Sequence, residues 1–262
     1  MFPVYDDVPK VHFPWATATL LVLTSYAFFL QLSLGPAGNL FIERWGLIPA
    51  RLVAPDEPIV VPAQGVVATL FGPAVVNGFR AIPPAGISDW FTVLSSLFLH
   101  GGWLHFLGNM WFLFLFGRSV EDRLGPAIYT CLYLGSGIVA GLTHATIDLS
   151  SAVPTVGASG AIAGVLGAYV WLFPHARVAA VIPIVFLFPV VELPAWVFLG
   201  LWFLTQFWQG LFSIVAVEAG GVAWWAHIGG FVAGFLVAYS LVAVQKDQEA
   251  KTETPWPHED LS

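Results

Sequence analysis

Charge is what this chain has least of. Charged residues fill 10% of its 262 positions, against roughly 25% in soluble domains, so it cannot clothe a water-facing surface in the usual way. Nine are Lys or Arg, spread thinly under a formal net charge of -7. No basic patch exists to hold a phosphate backbone, which argues against nucleic acid as a partner. The single cysteine, Cys131, excludes an intramolecular disulfide and leaves the redox compartment unread.

Apolar residues take the vacant share, at 58% of the chain. Several runs are long enough to cross about 30 Å of hydrocarbon at about 1.5 Å per residue. The expected class is an all-α polytopic membrane protein. Six spans are predicted, at Pro14–Leu34, Trp103–Phe116, Ala127–Thr146, Val156–Phe173, Pro194–Phe212 and Val222–Val244. The first is too long for a signal-peptide core and reads as a retained span.

The membrane domain thus covers 14–244, preceded by a short polar cytoplasmic terminus at 1–13 and followed by a polar tail at 245–262, expected to be disordered. Residues 35–89 form a long outer loop, with Phe41–Ile48 read as a membrane-surface element. Trp90 opens an interfacial helix that breaks at Gly101-Gly102, and Gly117–Gly125 reads as a charged turn. Val178–Val191 is apolar but interrupted by Pro183 and Pro189, which leaves open an interfacial segment or part of a span. Six cations (Lys10, Arg118, Arg123, Arg177, Lys246 and Lys251) fall on one side if both termini are cytoplasmic, against Arg44, Arg51 and Arg80 in the long loop.

In this topology three polar side chains reach similar depth below the outer surface: His105 in the second span, Ser159 in the fourth and His227 in the sixth. Ionisable residues inside a span are costly and face a protein interior or a wet cavity. A serine near the top of a membrane helix is usually mute, bonded back to its own helix. A neutral histidine nearby can make it a nucleophile. Small residues at Gly160, Ala163, Gly164 and Gly167, facing Ala226, Gly230 and Gly234, would let the fourth and sixth helices approach closely enough. His105 and Asn109 share a helix face, and with the free N–H groups at the start of the serine helix they supply the parts of an oxyanion hole. No acid lies at matching depth, so the expected unit is a Ser159–His227 dyad.

Four motifs then line up in order: His100-Gly-Gly-Trp-Leu-His105-Phe-Leu-Gly-Asn109; Gly117 with Val120-Glu-Asp-Arg-Leu-Gly125; Gly157-Ala-Ser159-Gly160; and Ala226-His227-Ile-Gly-Gly230. Over about Trp90 to Ala243 the chain resembles the rhomboid intramembrane serine proteases. The resemblance implies a six-helix core, no cofactor and no metal, with Ser159 as nucleophile, His227 as base, and His105 with Asn109 on the oxyanion. It implies transmembrane protein substrates in the lipid bilayer, and a flexible cap at Ile214–Gly221. Many relatives carry an aromatic residue one turn after the serine; here it is Ala163, and Trp224 or Trp225 could replace its packing on His227.

The rival readings are a rhomboid-like protein that binds membrane helices without cutting them, and a small transporter with broken helices. Inactive relatives generally lose the serine or histidine, and both are present. His100, His105 and His227 lack the thiol or carboxylate company of a zinc site. His100 reads as a loop-holding residue and His144 as an interfacial one; the twelve tryptophans read as interface anchors and packing. A bacterial inner membrane is the expected location, with oligomeric state open.

Overall fold

The computed structural model describes residues 1–55, 57–69, 72–182, 187–216 and 223–253. Helices dominate: α1 Trp15–Ser33, α2 Gly38–Trp45, α3 Pro49–Val53, α4 Thr92–Ser95, α5 Trp103–Phe112, α6 Arg118–Leu124, α7 Pro126–Ala145, α8 Ser159–Leu172, α9 Ala195–Ala216 and α10 Trp224–Glu253. Among the described residues, Trp15–Ser33, Pro126–Ala145 and Trp224–Val244 are long and apolar enough to cross a bilayer, and Ser159–Leu172 is a shorter apolar helix.

The expectation of an all-α chain is corrected by five strands. β2 Val60–Thr69 and β3 Gly72–Ala81 pair as a hairpin inside the long loop, while β1 Phe2–Asp6, β4 Arg177–Val181 and β5 Val190–Pro194 form an antiparallel sheet in the order β1-β4-β5. Val178–Val191 therefore supplies strands rather than a span, with 183–186 outside the described residues. The β-branched, alternately buried Arg177–Val181 stretch suits a strand better than a membrane helix.

Other boundaries shift for local reasons. Gly117–Gly125 is not a turn: a five-residue π-helical segment, Leu113–Gly117, joins α5 to α6, and the helix stops only at Gly125, whose φ is +81°. Pro126 then takes the first turn of α7, where its missing N–H costs nothing. α8 begins at Ser159 rather than near Val156, because Thr155 and Leu47 exchange two backbone hydrogen bonds (2.7 and 3.1 Å) and Gly157 has φ +128°. The Phe41–Ile48 piece is not a free surface element, since Leu47 and Ile48 are buried. α10 runs to Glu253, well into the tail expected to be disordered.

The first thirteen residues, short and polar, are tied into the fold. Buried Asp6 accepts hydrogen bonds from Ser119 Oγ (2.8 Å) and Tyr169 Oη (2.9 Å) and pairs with Lys10. Trp111 Nε1 donates to the Pro3 carbonyl at 2.7 Å. α1 has no side-chain cap of its own. Its orphan donors go to Glu121, whose carboxylate accepts from Ala16 N, Thr17 N and Thr17 Oγ1 at 2.7–2.8 Å. Neighbouring Asp122 accepts from the Val11 and His12 amides.

α8 is the central post. Ten of its fourteen residues are buried, and α10, α7 and the α5–α6 junction pack round it. Glycines make this possible. A Cβ on Gly230 or Gly234 would collide with the carbonyl oxygens of Gly160 and Gly164, and one on Gly167 with that of Phe231. At the far end Tyr169 meets Phe116 edge-on at 5.0 Å, and Phe116 stacks on Phe198 at 6.3 Å.

Gly234→Ala should force α8 and α10 apart and lower stability by about 1–3 kcal/mol in detergent unfolding. Gly135→Ala, whose Cβ meets only open space, should cost nothing measurable. The Asp122 carboxyl sits below the ordinary carboxylate range, chiefly because the His12 backbone N–H bonds to it, with Val11 adding to the effect. Its contribution is thus present above the ordinary carboxylate value and lost as pH falls through the lowered one. Hydrogen exchange should show residues 1–13 losing protection in acid before α8 does, and Asp122→Asn should show that loss at neutral pH.

Candidate active site

Ser159 opens α8, so the backbone N–H groups of its first turn have no intrahelical carbonyl to meet. The segment before it is held from two sides, by the Thr155–Leu47 bridge and by Gly157 N donating to the Ser96 carbonyl at 2.9 Å. The Ser159 hydroxyl differs from others near helix backbones. Thr19, Thr130, Thr143 and Ser240 each bond to the carbonyl four residues back. Ser159 Oγ has no such bond, nor any other partner among the described residues.

His227 lies in the first turn of α10. Its neighbour Ala226 meets the serine helix directly, with its Cβ and carbonyl oxygen 3.7 Å from where a Cβ on Gly160 would stand. The ring is 7% exposed and wedged between Trp202 (centroids 5.9 Å, tilted) and Trp224 (6.2 Å, edge-on). Nδ1 contacts Gln206 Oε1 at 2.6 Å. Nε2 is buried and has no hydrogen-bond partner among the described residues. The serine and histidine helices are therefore joined at the right level, but no Ser159–His227 hydrogen bond is formed. Catalytic hydrogen bonds are often loose without substrate and tighten in the complex.

His105 reaches the same space from α5. The position a Cβ on Gly157 would take is 2.7 Å from His105 Nε2 and 3.7 Å from Ser159 Oγ, so both atoms border one small volume. Gly101 N donates to His105 Nδ1 at 3.4 Å, which puts the ring proton on Nε2, the nitrogen facing that volume. Asn109 is buried one turn on and spends one amide N–H on the His105 carbonyl at 2.9 Å, leaving the other. His100 is fully buried against Phe28, Phe106 and His105, and Gln31 clamps its backbone by bonding both the carbonyl (2.7 Å) and the amide (3.3 Å). That fits a loop-holding role.

Several readings change. His144, read as interfacial, has its Nδ1 buried and without a hydrogen-bond partner among the described residues. Trp224 does stand in for the missing aromatic at Ala163, but Trp225 does not stack on the ring, and Trp202 from α9 supplies the second face. Trp202 and Gln206 escaped the sequence reading. The usable signal was Gln206 itself, an amide in an otherwise apolar span, since such groups turn inward. Of the expected cap, 214–216 close α9 and 217–222 lie outside the described residues.

Apolar helices joined through bare glycine backbone, around a serine and histidines, define a helical membrane protein with a buried polar site. The chain belongs to the rhomboid family: a Rhomboid domain model matches residues 88–244. It is 32% identical over 173 residues to Rhomboid protein 1, mitochondrial, of Saccharomyces cerevisiae, covering 64% of this chain and 46% of that one. It is 28% identical over 248 residues to RHOMBOID-like protein 4 of Arabidopsis thaliana, covering 88% and 53%. It is 38% identical over 85 residues to YdcA of Bacillus subtilis, whose name carries the words rhomboid protease, covering 32% and 42%. The chain spans about half the length of the curated relatives it matches.

Gly157→Ala should cost about 1–2 kcal/mol from its positive φ alone and push the His105 ring aside. A shifted His105 ring signal in ¹⁵N-histidine NMR, with Gly108→Ala unshifted, is the expected result.

Proposed function

We propose that this protein is an intramembrane serine endopeptidase that cuts membrane proteins in or beside their transmembrane segments through a Ser159–His227 dyad. The observation that carries the reading is the unbonded Ser159 hydroxyl, held where the serine and histidine helices touch and where His105 Nε2 also points.

His227 Nε2 takes the Ser159 proton as Oγ attacks the scissile carbonyl carbon. The tetrahedral oxyanion receives N–H bonds from the first turn of α8, from His105 Nε2 and from the spare amide N–H of Asn109. As the C–N bond breaks, His227 returns the proton to the leaving amine. A water, deprotonated by the same imidazole, then hydrolyses the Ser159 ester. Extraction of a substrate helix from lipid would precede these steps. The bundle would be crossed six times, by α1, the Trp103–Phe116 stretch that begins with α5, α7, α8, α9 and α10, with both termini cytoplasmic. Relatives named as mitochondrial, plant and bacterial do not single out a bacterial inner membrane.

The test is covalent labelling of the detergent-purified protein by a fluorophosphonate. Labelling at Ser159, abolished by Ser159→Ala and reduced at least 100-fold by His227→Ala, is expected, together with cleavage of tagged membrane anchors co-expressed in cells. Asn109→Ala should lower turnover about 10²-fold with a small change in affinity. A folded protein that never labels, while a control rhomboid does, would leave the non-cutting helix binder as the better account.

A further inference from the structure

We infer that Gln206 is a positioning residue that fixes the proton of His227 on Nδ1 and leaves Nε2 bare to face the serine, an inference whose catalytic meaning rests on the dyad reading. The direction of the hydrogen bonds follows from the end of a short chain. Thr205 Oγ donates to the Trp202 carbonyl at 2.6 Å, so the hydroxyl has only lone pairs left to offer. Gln206 Nε2 lies 3.2 Å from that oxygen and can only donate to it. The amide must then turn Oε1 towards His227, where it sits 2.6 Å from Nδ1. An amide oxygen accepts and cannot donate, so Nδ1 carries the hydrogen.

In a neutral imidazole one nitrogen donates and the other accepts, so the lone pair falls to Nε2. That atom is buried and has no partner among the described residues, as a base awaiting its proton donor should be. Carboxylates hold the equivalent proton in many serine hydrolases, and no carboxylate is needed here to choose the tautomer. Gln206 is itself 7% exposed, and the rings of Trp202 and Trp224 close the remaining faces of the imidazole. The ionisable groups in electrostatic reach are His105 from α5 and His144 from α7. Ser159, at the start of α8, is neutral, and so is the amide that α9 offers. Tautomer choice therefore falls to one uncharged side chain.

The experiment uses the full chain in micelles with ¹⁵N-labelled histidine, His227 being assigned by its loss in His227→Phe. The expected spectrum has Nδ1 protonated and Nε2 bare in wild type, and a mixture or the reverse tautomer in Gln206→Leu. Fluorophosphonate labelling of Ser159 should fall about 10- to 100-fold in Gln206→Leu. Gln206→Glu keeps an acceptor in place, so it should recover labelling to within a few-fold. Its carboxylate would also stabilise the imidazolium, moving the acid limb of the labelling profile to higher pH. A structural role alone would move no such limb. A wild-type His227 with bare Nδ1, or Gln206→Leu labelling at the wild-type rate across pH, overturns the inference. An Nδ1–H tautomer that Gln206→Leu scrambles, in a protein whose serine never labels, upholds the assignment and sinks the protease instead.

Discussion

Backbone-to-backbone contact between α8 and α10 is the constraint on which the rest of the molecule depends. Three carbonyl oxygens, those of Gly160, Gly164 and Phe231, occupy the places where side chains would otherwise stand on Gly230, Gly234 and Gly167. In lipid there is little hydrophobic gain from bringing two apolar helices together, so close van der Waals contact has to supply the attraction. The same contact sets the chemistry. With the helices this close, the register that places Ala226 against Gly160 also brings Ser159 and His227 to one level.

The second organising device is electrostatic and sits away from the serine. Glu121 gives α1 the N-terminal cap its own sequence lacks, and Asp122 holds the two amides just before it. A helix that begins with Pro14-Trp15 has no local side chain to satisfy its first donors. Borrowing a carboxylate from another helix satisfies them and also fixes where α1 stands against α6. Gln31, near the other end of α1, then clamps the loop that carries His100 to His105.

Much of this could be read from residue order. The apolar runs announced both ends of α1 and α7 to within a residue and the start of α10 to within two, though α10 continues to Glu253, and the Gly160/Gly164/Gly167 and Gly230/Gly234 spacing announced the face where two helices meet. The four side chains of the expected site were named; the structure sets His105 and Ser159 against one small volume and the histidine helix against the serine helix, and it forms no Ser159–His227 bond. What stayed hidden depends on partners remote in sequence. Phe2–Asp6 is five residues long and says nothing of a strand until Arg177–Val181 is beside it. Glu121 and Asp122 looked like a polar turn because the N–H groups that donate to their carboxylates lie more than a hundred residues earlier. Gln206 was passed over because an acid was sought and an amide does the work of orientation.

The β1–β4 pairing also dictates an order of assembly. Asp7 receives the amide of Arg177 across 170 positions, and Asp6 cannot meet the Tyr169 hydroxyl before α8 exists. Closing so long a loop is entropically dear and gains nothing until the distal strand has emerged. The opening residues must therefore wait on one face of the bilayer while most of the bundle is laid down, and they latch the helix carrying Ser159 only when that helix is already in place. Docking of Phe2–Asp6 is thus a late event, a seal set on a bundle whose inner helices have already found one another.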